Sequence, residues 1–245
     1  MWRHLGTRRS SIHNLRLAVL LGLTAGMVNA EGFLGFSILT TNVTGHAALF
    51  AEGIAVQDWH NSMIIFLWMV LFLGGACLTS LILTVQGGNR RFSYFVPIII
   101  EIVVLISCAV YGKYAKRWGL QELFGGSLLF AMGIQNALVS MISGSVVRTT
   151  HLTGTFTDLG IEIAQLYGSE KQQRIVLMTK IKLHLVIIFF FLTGAVSGAF
   201  VFSHIGFKSF YIPAGVLCLA LTYDLVRIKV KYYYHAKTHI RIPES

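Results

Sequence analysis

Two short polar motifs each occur twice in this chain. Segment 26–30 (GMVNA) reappears as 133–137 (GIQNA), offset by 107 residues, and segment 41–45 (TNVTG) reappears as 150–154 (THLTG), offset by 109. Asparagine and threonine side chains can hydrogen-bond a solute or cap a helix, and glycine permits close approach of a backbone or ligand. In an apolar chain, such a duplication is typical of a transporter-type fold with its site between two repeats.

The repeated motifs supply the predicted solute-binding residues. The start of a helix attracts an anion, because it carries free N–H groups and the positive end of the helix dipole. Two such starts would therefore favour a small polar or anionic solute. The predicted set is Asn29, Asn42, Thr44, Gly45, His46, Asn136, Arg148, Thr150, His151, Thr153 and Gly154. The alternative is structural: Thr-Gly lets two short helices pack tightly, and Asn29 and Asn136 form a symmetric pair.

Several acidic residues lie in apolar surroundings. A charged side chain at the centre of a spanning helix costs about 2.5 to 3.5 kcal/mol on insertion scales, so such residues usually have a function. Asp158 and Glu162 share one helix face, where two carboxylates repel unless a proton or cation lies between them. The residues predicted to couple protons or ions are Glu31, Glu101, Asp158 and Glu162. The alternative for each is a structural contact with Arg148, a histidine or a backbone group.

The composition indicates a membrane protein. Hydrophobic residues make up 55% of the chain and charged residues 12%, with a mean hydropathy of +0.68, whereas about a quarter of the residues in a soluble domain are charged. One crossing takes about 20 apolar residues. We therefore expect an all-α, polytopic transmembrane helical bundle of two homologous three-span repeats, with spans near 17–39, 63–83, 94–111, 124–142, 183–202 and 210–226.

Two shorter apolar segments, 44–56 and 153–167, begin at the repeated Thr-Gly. As broken or re-entrant helices they give six crossings and inverted repeats; as full crossings they give eight crossings and parallel repeats. The positive-inside rule favours neither topology clearly, because each leaves a group of basic residues outside. Six crossings leave Lys113, Lys116 and Arg117 outside, and eight leave Arg90 and Arg91 outside. Segment length favours six.

The predicted organisation has five parts: a basic cytoplasmic N-terminus (1–16), a first repeat (17–112), a connecting loop (113–122), a second repeat (123–227) and a basic cytoplasmic tail (228–245). Basic flanks belong on the cytoplasmic side. Their attraction to an anionic inner leaflet accounts for the net charge of +10 without nucleic acid.

The motifs resemble those of the YoaK family of bacterial inner-membrane proteins, also called DUF1275. The segments that carry the resemblance are 25–30 (AGMVNA), Thr44-Gly45, 133–137 (GIQNA) and 148–154 (RTTHLTG), and it covers nearly the whole chain. The family usually has aspartate where Asn29 stands and asparagine where His46 stands. The resemblance implies a multi-pass fold in the bacterial inner membrane, and it implies no particular solute.

The expected role is secondary transport or channel-like permeation of a small polar or anionic solute, with proton coupling as an additional hypothesis. The alternative is a non-transporting membrane scaffold or accessory subunit. An enzyme is not expected, because the sequence has no Walker motif, nucleophile elbow, HExxH or dinucleotide fingerprint. We expect no metal or other cofactor and no nucleic-acid partner. The expected partners are the lipid bilayer and the solute, and a homo-oligomer is left open.

Overall fold

The chain is mostly helical in the part that the structure, a computed structural model, describes: residues 11–85, 94–145, 147 and 149–223. No strand occurs among these residues, which confirms the all-α prediction. The helices are α1 (Ser11–Phe36), α2 (Val43–Ala55), α3 (Trp59–Val85), α4 (Phe95–Tyr111), α5 (Ala115–Trp118), α6 (Gln121–Ser143), α7 (Leu152–Gln165), α8 (Lys171–Ile205) and α9, described over 211–223.

Five segments are long and apolar enough to cross a membrane: Leu15–Phe36, Trp59–Val85, Phe95–Trp118, Gln121–Ser143 and Lys171–Tyr223. The first four overlap the first four predicted spans. The fifth has 53 residues, more than twice the length of one crossing. It contains the fifth predicted span and overlaps the sixth as far as Tyr223, and residues 224–226 of that span lie outside the described residues. Gly206, at φ 60°, lies where α8 ends, and the tight turn Gly206–Phe210 separates α8 from α9. The stretch predicted as a connecting loop contains helix α5.

Helices α2 and α7 are too short to cross a bilayer. They have 13 and 14 residues, or about 20 Å at 1.5 Å per residue, against a hydrocarbon thickness of about 30 Å. Each packs against the helix that follows it, α2 on α3 and α7 on α8. They begin at Val43 and Leu152, one residue before the predicted starts at Thr44 and Thr153.

Glycines bring α1 and α8 into backbone contact. A methyl group added at Gly26 would lie 2.0 Å from the carbonyl oxygen of Phe191, and one at Gly194 would lie 2.1 Å from that of Leu23. No side chain fits at such distances. Small residues are the usual means by which membrane helices approach closely, and α1 with α8 forms the most extensive helix contact among the described elements.

Helices α3 and α6 meet in the same way. A methyl group at Gly75 would lie 2.1 Å from the carbonyl oxygen of Phe130, and one at Gly133 would lie 2.1 Å from that of Phe72. Gly133 and Phe130 of α6 correspond to Gly26 and Leu23 of α1 at an offset of 107 residues. Gly75 and Phe72 of α3 correspond to Gly194 and Phe191 of α8 at an offset of 119 residues. The two contacts therefore follow one geometric pattern.

The directions of the helices follow from these contacts. Gly22 of α1 lies against Ile187 of α8 and Gly35 against Phe202, so α1 and α8 run parallel. Helices α1 and α6 run in opposite directions. The Gln135 amide, late in α6, donates to the carbonyl of Leu21, early in α1, at 2.9 Å, whereas Leu128, early in α6, lies 3.5 Å from a methyl position at Gly32, late in α1.

Candidate functional site

The loop after α1 turns back toward the interior of the bundle. The side-chain oxygen of Asn29 accepts hydrogen bonds from the backbone N–H of Thr41 at 3.2 Å and from its hydroxyl at 3.0 Å. Asn29 lies seven residues before the end of α1 at Phe36, which corresponds to about 10 Å along the helix. The start of α2 therefore lies beside α1, about 10 Å before the end of that helix.

The loop after α6 is held by the equivalent residues. The Thr150 hydroxyl donates to the side-chain oxygen of Asn136, which lies seven residues before the end of α6 at Ser143. The two repeated asparagines thus have matching hydrogen bonds, each to the first threonine of its own TxxTG segment. They do not bond to each other.

The hydrogen bonds of Asn29 lead to a testable prediction. Toward the described residues only its acceptor oxygen is used, so Asn29→Asp should keep the fold, whereas Asn29→Leu should lower the thermal midpoint of the purified protein. The expected cost of leaving both Thr41 donors without this acceptor is about 1 to 3 kcal/mol. Thermal unfolding in detergent measures both variants. Equal loss in the two variants would mean that the acceptor oxygen is not what holds the loop.

The residues that cap the short helices differ from the expected threonines. Asn42 caps α2: its side-chain oxygen accepts from the N–H of Gly45 at 2.9 Å. The N-cap position of α7 is His151, whose carbonyl accepts from the Thr155 hydroxyl at 2.9 Å. Because the cap positions come two residues before Thr-Gly, the side chains of Thr44 and Thr153 are exposed in the first turn of each helix instead.

Both repeated TxxTG segments line one cavity of about 620 Å³, named here the central cavity. Among its described lining residues there is no carboxylate, lysine or arginine. Its polar lining comes from Asn29, Thr41, Asn42, Thr44, Thr150, His151 and Thr153, and its apolar lining includes Leu39, Met69, Phe72, Leu73, Ala76, Leu152 and Phe191. The starts of α2 and α7 thus open onto the same space.

The predicted binding residues divide between lining and support. Asn29, Asn42, Thr44, Thr150, His151, Thr153 and Gly154 line the central cavity. Gly45 contacts the Asn42 side chain, and Asn136 is buried behind Thr150. Arg148 lies outside the described residues. Thr41 also lines the cavity but was not predicted, although its repeat partner Thr150 was; alignment of the two motifs was the signal that pointed to it.

His46 is buried rather than available to a solute. Its Nδ1 lies 2.7 Å from the carbonyl oxygen of Asn42, and its ring meets the Trp68 ring edge-on at a centroid distance of 5.8 Å. The Trp68 indole N–H donates to the carbonyl of Glu122 at 3.0 Å. His46 therefore joins α2 to α3, and Trp68 joins α3 to α6.

A second cavity of about 490 Å³ lies between α7 and α8 and is named here the vestibule. It shares His151 and Gly154 with the central cavity. Asp158 and Glu162 both line it, as expected from their spacing, but the partner of Glu162 is His184: Glu162 Oε2 lies 2.9 Å from His184 Nδ1. Lys180 is the other charged residue of this lining.

A third cavity, of about 440 Å³, lies beside α2 and α3 and has an acidic lining: Glu52, Asp58 and Glu122. It shares no lining residue with the central cavity. Asp58 immediately precedes α3, and hydrogen bonds from the Asn61 side chain and backbone lower the pKa of its carboxyl group below the ordinary value.

Glu31 and Glu101 lie apart from the cavities described above. Both are fully enclosed, and neither carboxyl group has a hydrogen-bond partner among the described residues. Glu31 lies beside the Ser209 hydroxyl without reaching hydrogen-bond geometry. An unpaired buried charge costs several kcal/mol, so binding a proton or cation would remove a substantial penalty at either acid.

Comparison with known proteins gives a family. The family model described as DUF1275, a protein of unknown function, matches residues 17–223, which include both pairs of repeated motifs and all of the cavity-lining residues. No curated protein and no solved structure matches the chain. Because the match extends over most of its length, the chain belongs to the DUF1275 family.

Proposed function

We propose that this protein moves a small anionic solute across a membrane, with the central cavity as the solute site. The observation that carries the proposal is that one cavity is lined by both repeated TxxTG segments, each at the start of a helix too short to cross. A scaffold has no need of a polar cavity at this position. In known transporters, sites between structural repeats are built from such interrupted helices.

The proposed architecture is two inverted three-span halves, α1–α4 and α6–α9, with α2 and α7 re-entrant. The shifted glycine contacts and the matching Asn29 and Asn136 hydrogen bonds support the repeat. The opposite directions of α1 and α6 support inversion, because parallel repeats would run these helices the same way. The 53-residue fifth segment has room for two crossings at α8 and α9, which gives six in total.

The proposed location is the bacterial inner membrane with both termini cytoplasmic. The bases Lys171, Arg174, Lys180 and Lys182 occupy the first turns of α8, on the side from which α1 starts, since these helices run parallel. Together with the basic N-terminal sequence, they make this side the more positive one, which favours the cytoplasm.

The electrostatics of the central cavity favour an anion. Each helix start carries a partial positive charge of about half a unit, and two starts meet here. The exposed hydroxyls of Thr44 and Thr153 add neutral hydrogen-bond donors. No acidic residue among the described lining opposes this charge, so a cation would find no counter-charge in this part of the wall.

The experiment is a flux assay on purified protein in liposomes. Vesicles loaded in turn with chloride, nitrate, formate or lactate, and with glycerol as a neutral control, are tested for efflux against protein-free vesicles. We expect at least one anion to leave faster from the protein vesicles and glycerol not to. Accelerated glycerol without any accelerated anion would contradict the anion assignment, and acceleration of neither would contradict transport.

A further inference from the structure

We propose that Glu162 and His184 form the proton-binding site that couples proton uptake to the central cavity. This inference rests on the proposed function and deepens it by naming the coupling ion and the groups that hold it. Sequence patterns gave four candidate acids. The structure distinguishes one of them by its basic partner and by its position in the vestibule, which shares lining residues with the central cavity.

The pair lies between the two helices that form the vestibule. Glu162 is 7% exposed and lies on α7, the helix whose first turn carries Thr153 and Gly154. His184 lies on α8, and the two side chains meet at 2.9 Å. The vestibule that they line shares the lining residues His151 and Gly154 with the central cavity. A change of charge at this contact therefore acts on the helix that forms half of the solute site.

The first half of the chain has no acid or histidine at the equivalent positions. By the offsets of 109 and 119 residues, the positions that correspond to Glu162 and His184 are Gly53 and Ile65. In that half, α2 packs directly on α3, and a methyl group at Gly53 would lie 2.4 Å from the Ser62 hydroxyl. Packing a short helix on the next helix therefore requires no ion pair, so the pair in the second half needs another explanation.

The contact between Glu162 and His184 can bind a proton. The other titratable groups of the described vestibule lining are Asp158 and His151, from α7, and Lys180, from α8. Imidazole ordinarily changes its charge between pH 5 and 8. Uptake of one proton converts a hydrogen bond from neutral imidazole to the carboxylate into an ion pair, which draws α7 toward α8. The added positive charge also favours an anion nearby, and by linkage the anion favours the proton.

The test measures this coupling without knowledge of the solute. The natural cysteines Cys77, Cys108 and Cys218 are replaced, and Thr153→Cys and Thr44→Cys are introduced separately. Each protein, in nanodiscs, is labelled with a charged methanethiosulfonate across a pH series. The labelling rate at Thr153→Cys is divided by the rate at Thr44→Cys, and this ratio removes the pH dependence that the two thiols have in common. We expect the ratio to fall about threefold from pH 8 to pH 6 as the pair tightens, which corresponds to a coupling of about 0.6 kcal/mol.

The variants separate the pair from its surroundings. Glu162→Gln and, independently, His184→Gln should each make the ratio independent of pH. Asp158→Asn is the matched control, because it removes a neighbouring carboxylate of the same vestibule, and it should keep the pH response. A pH response that survives Glu162→Gln, or a flat ratio in the parent with Thr153→Cys readily labelled, would overturn the inference and leave the cavity intact. Absence of labelling at Thr153→Cys at every pH would overturn the proposed function as well.

Discussion

Thr44→Val together with Thr153→Val is expected to reduce anion efflux from proteoliposomes by about 100-fold, because a hydrogen bond to a charged group contributes about 1.5 to 3 kcal/mol and each 1.4 kcal/mol is a factor of ten. Both side chains are exposed at the central cavity. Valine has nearly the same shape as threonine, so the variant should insert into the membrane and retain the thermal midpoint of the parent. The measurement is the efflux rate of whichever anion the parent accelerates.

The matched control for this double variant is Thr157→Val. Thr157 lies one turn further along α7 than Thr153, is exposed, and donates its hydroxyl to the Thr153 carbonyl without lining the central cavity. Its efflux rate should stay within about twofold of the parent, because loss of an exposed local hydrogen bond costs little. Undiminished flux in the double variant would remove the two hydroxyls from the solute site. Loss of expression would instead favour a packing role for Thr-Gly.

Gly75→Ala is expected to lower the stability of the protein strongly. Its methyl group would lie 2.1 Å from the backbone carbonyl oxygen of Phe130, so α3 and α6 would have to separate. Overpacking costs about 1 to 3 kcal/mol where side chains can adjust. Because the atom met here belongs to a helix backbone, we expect at least about 3 kcal/mol, seen as a thermal midpoint lower by about 10 °C or more.

The neighbouring glycine provides the control for this prediction. A methyl group at Gly74 would meet no atom within 4 Å, so Gly74→Ala should leave the midpoint within a degree or two and favour the helix slightly. Gly133→Ala should behave like Gly75→Ala, because it disrupts the same contact from the other helix. Similar midpoints for Gly74→Ala and Gly75→Ala would contradict the close approach of α3 and α6.

Much of the helical architecture was predictable from sequence. Runs of about 20 apolar residues are needed for a crossing. The six spans predicted on this basis overlap all five long segments, two of them falling in the fifth. The starts of the short helices α2 and α7 were predicted to within one residue, because the repeated Thr-Gly marks the first turn of each helix. The end of α1 and the start of α8 were less accurate. Helix α8 begins at Lys171, twelve residues before the apolar run that was used to define it, because basic side chains are compatible with a helix that extends beyond the bilayer.

The details of the site depended on contacts between distant residues. The pairing of Glu162 with His184 joins two helices, and the spacing of Asp158 and Glu162 on one helix face indicated only that both carboxylates would share surroundings. The burial of His46 against Trp68 likewise could not be predicted from the motif. A histidine directly after Thr-Gly can either line a cavity or pack against a neighbouring helix. The role of Asn42 as a cap depended on the local turn before α2.

The central claim is that the two TxxTG segments line one water-filled cavity. The most direct test places Thr44→Cys and Thr153→Cys in one cysteine-free protein and treats membranes with a short bifunctional thiol reagent, with Tyr167→Cys, a fully exposed position, as the labelling control. The account predicts that both cysteines react with water-borne reagent and become cross-linked within one chain. Labelling of Tyr167→Cys with no reaction at either motif, or reaction at both without any cross-link, would contradict it.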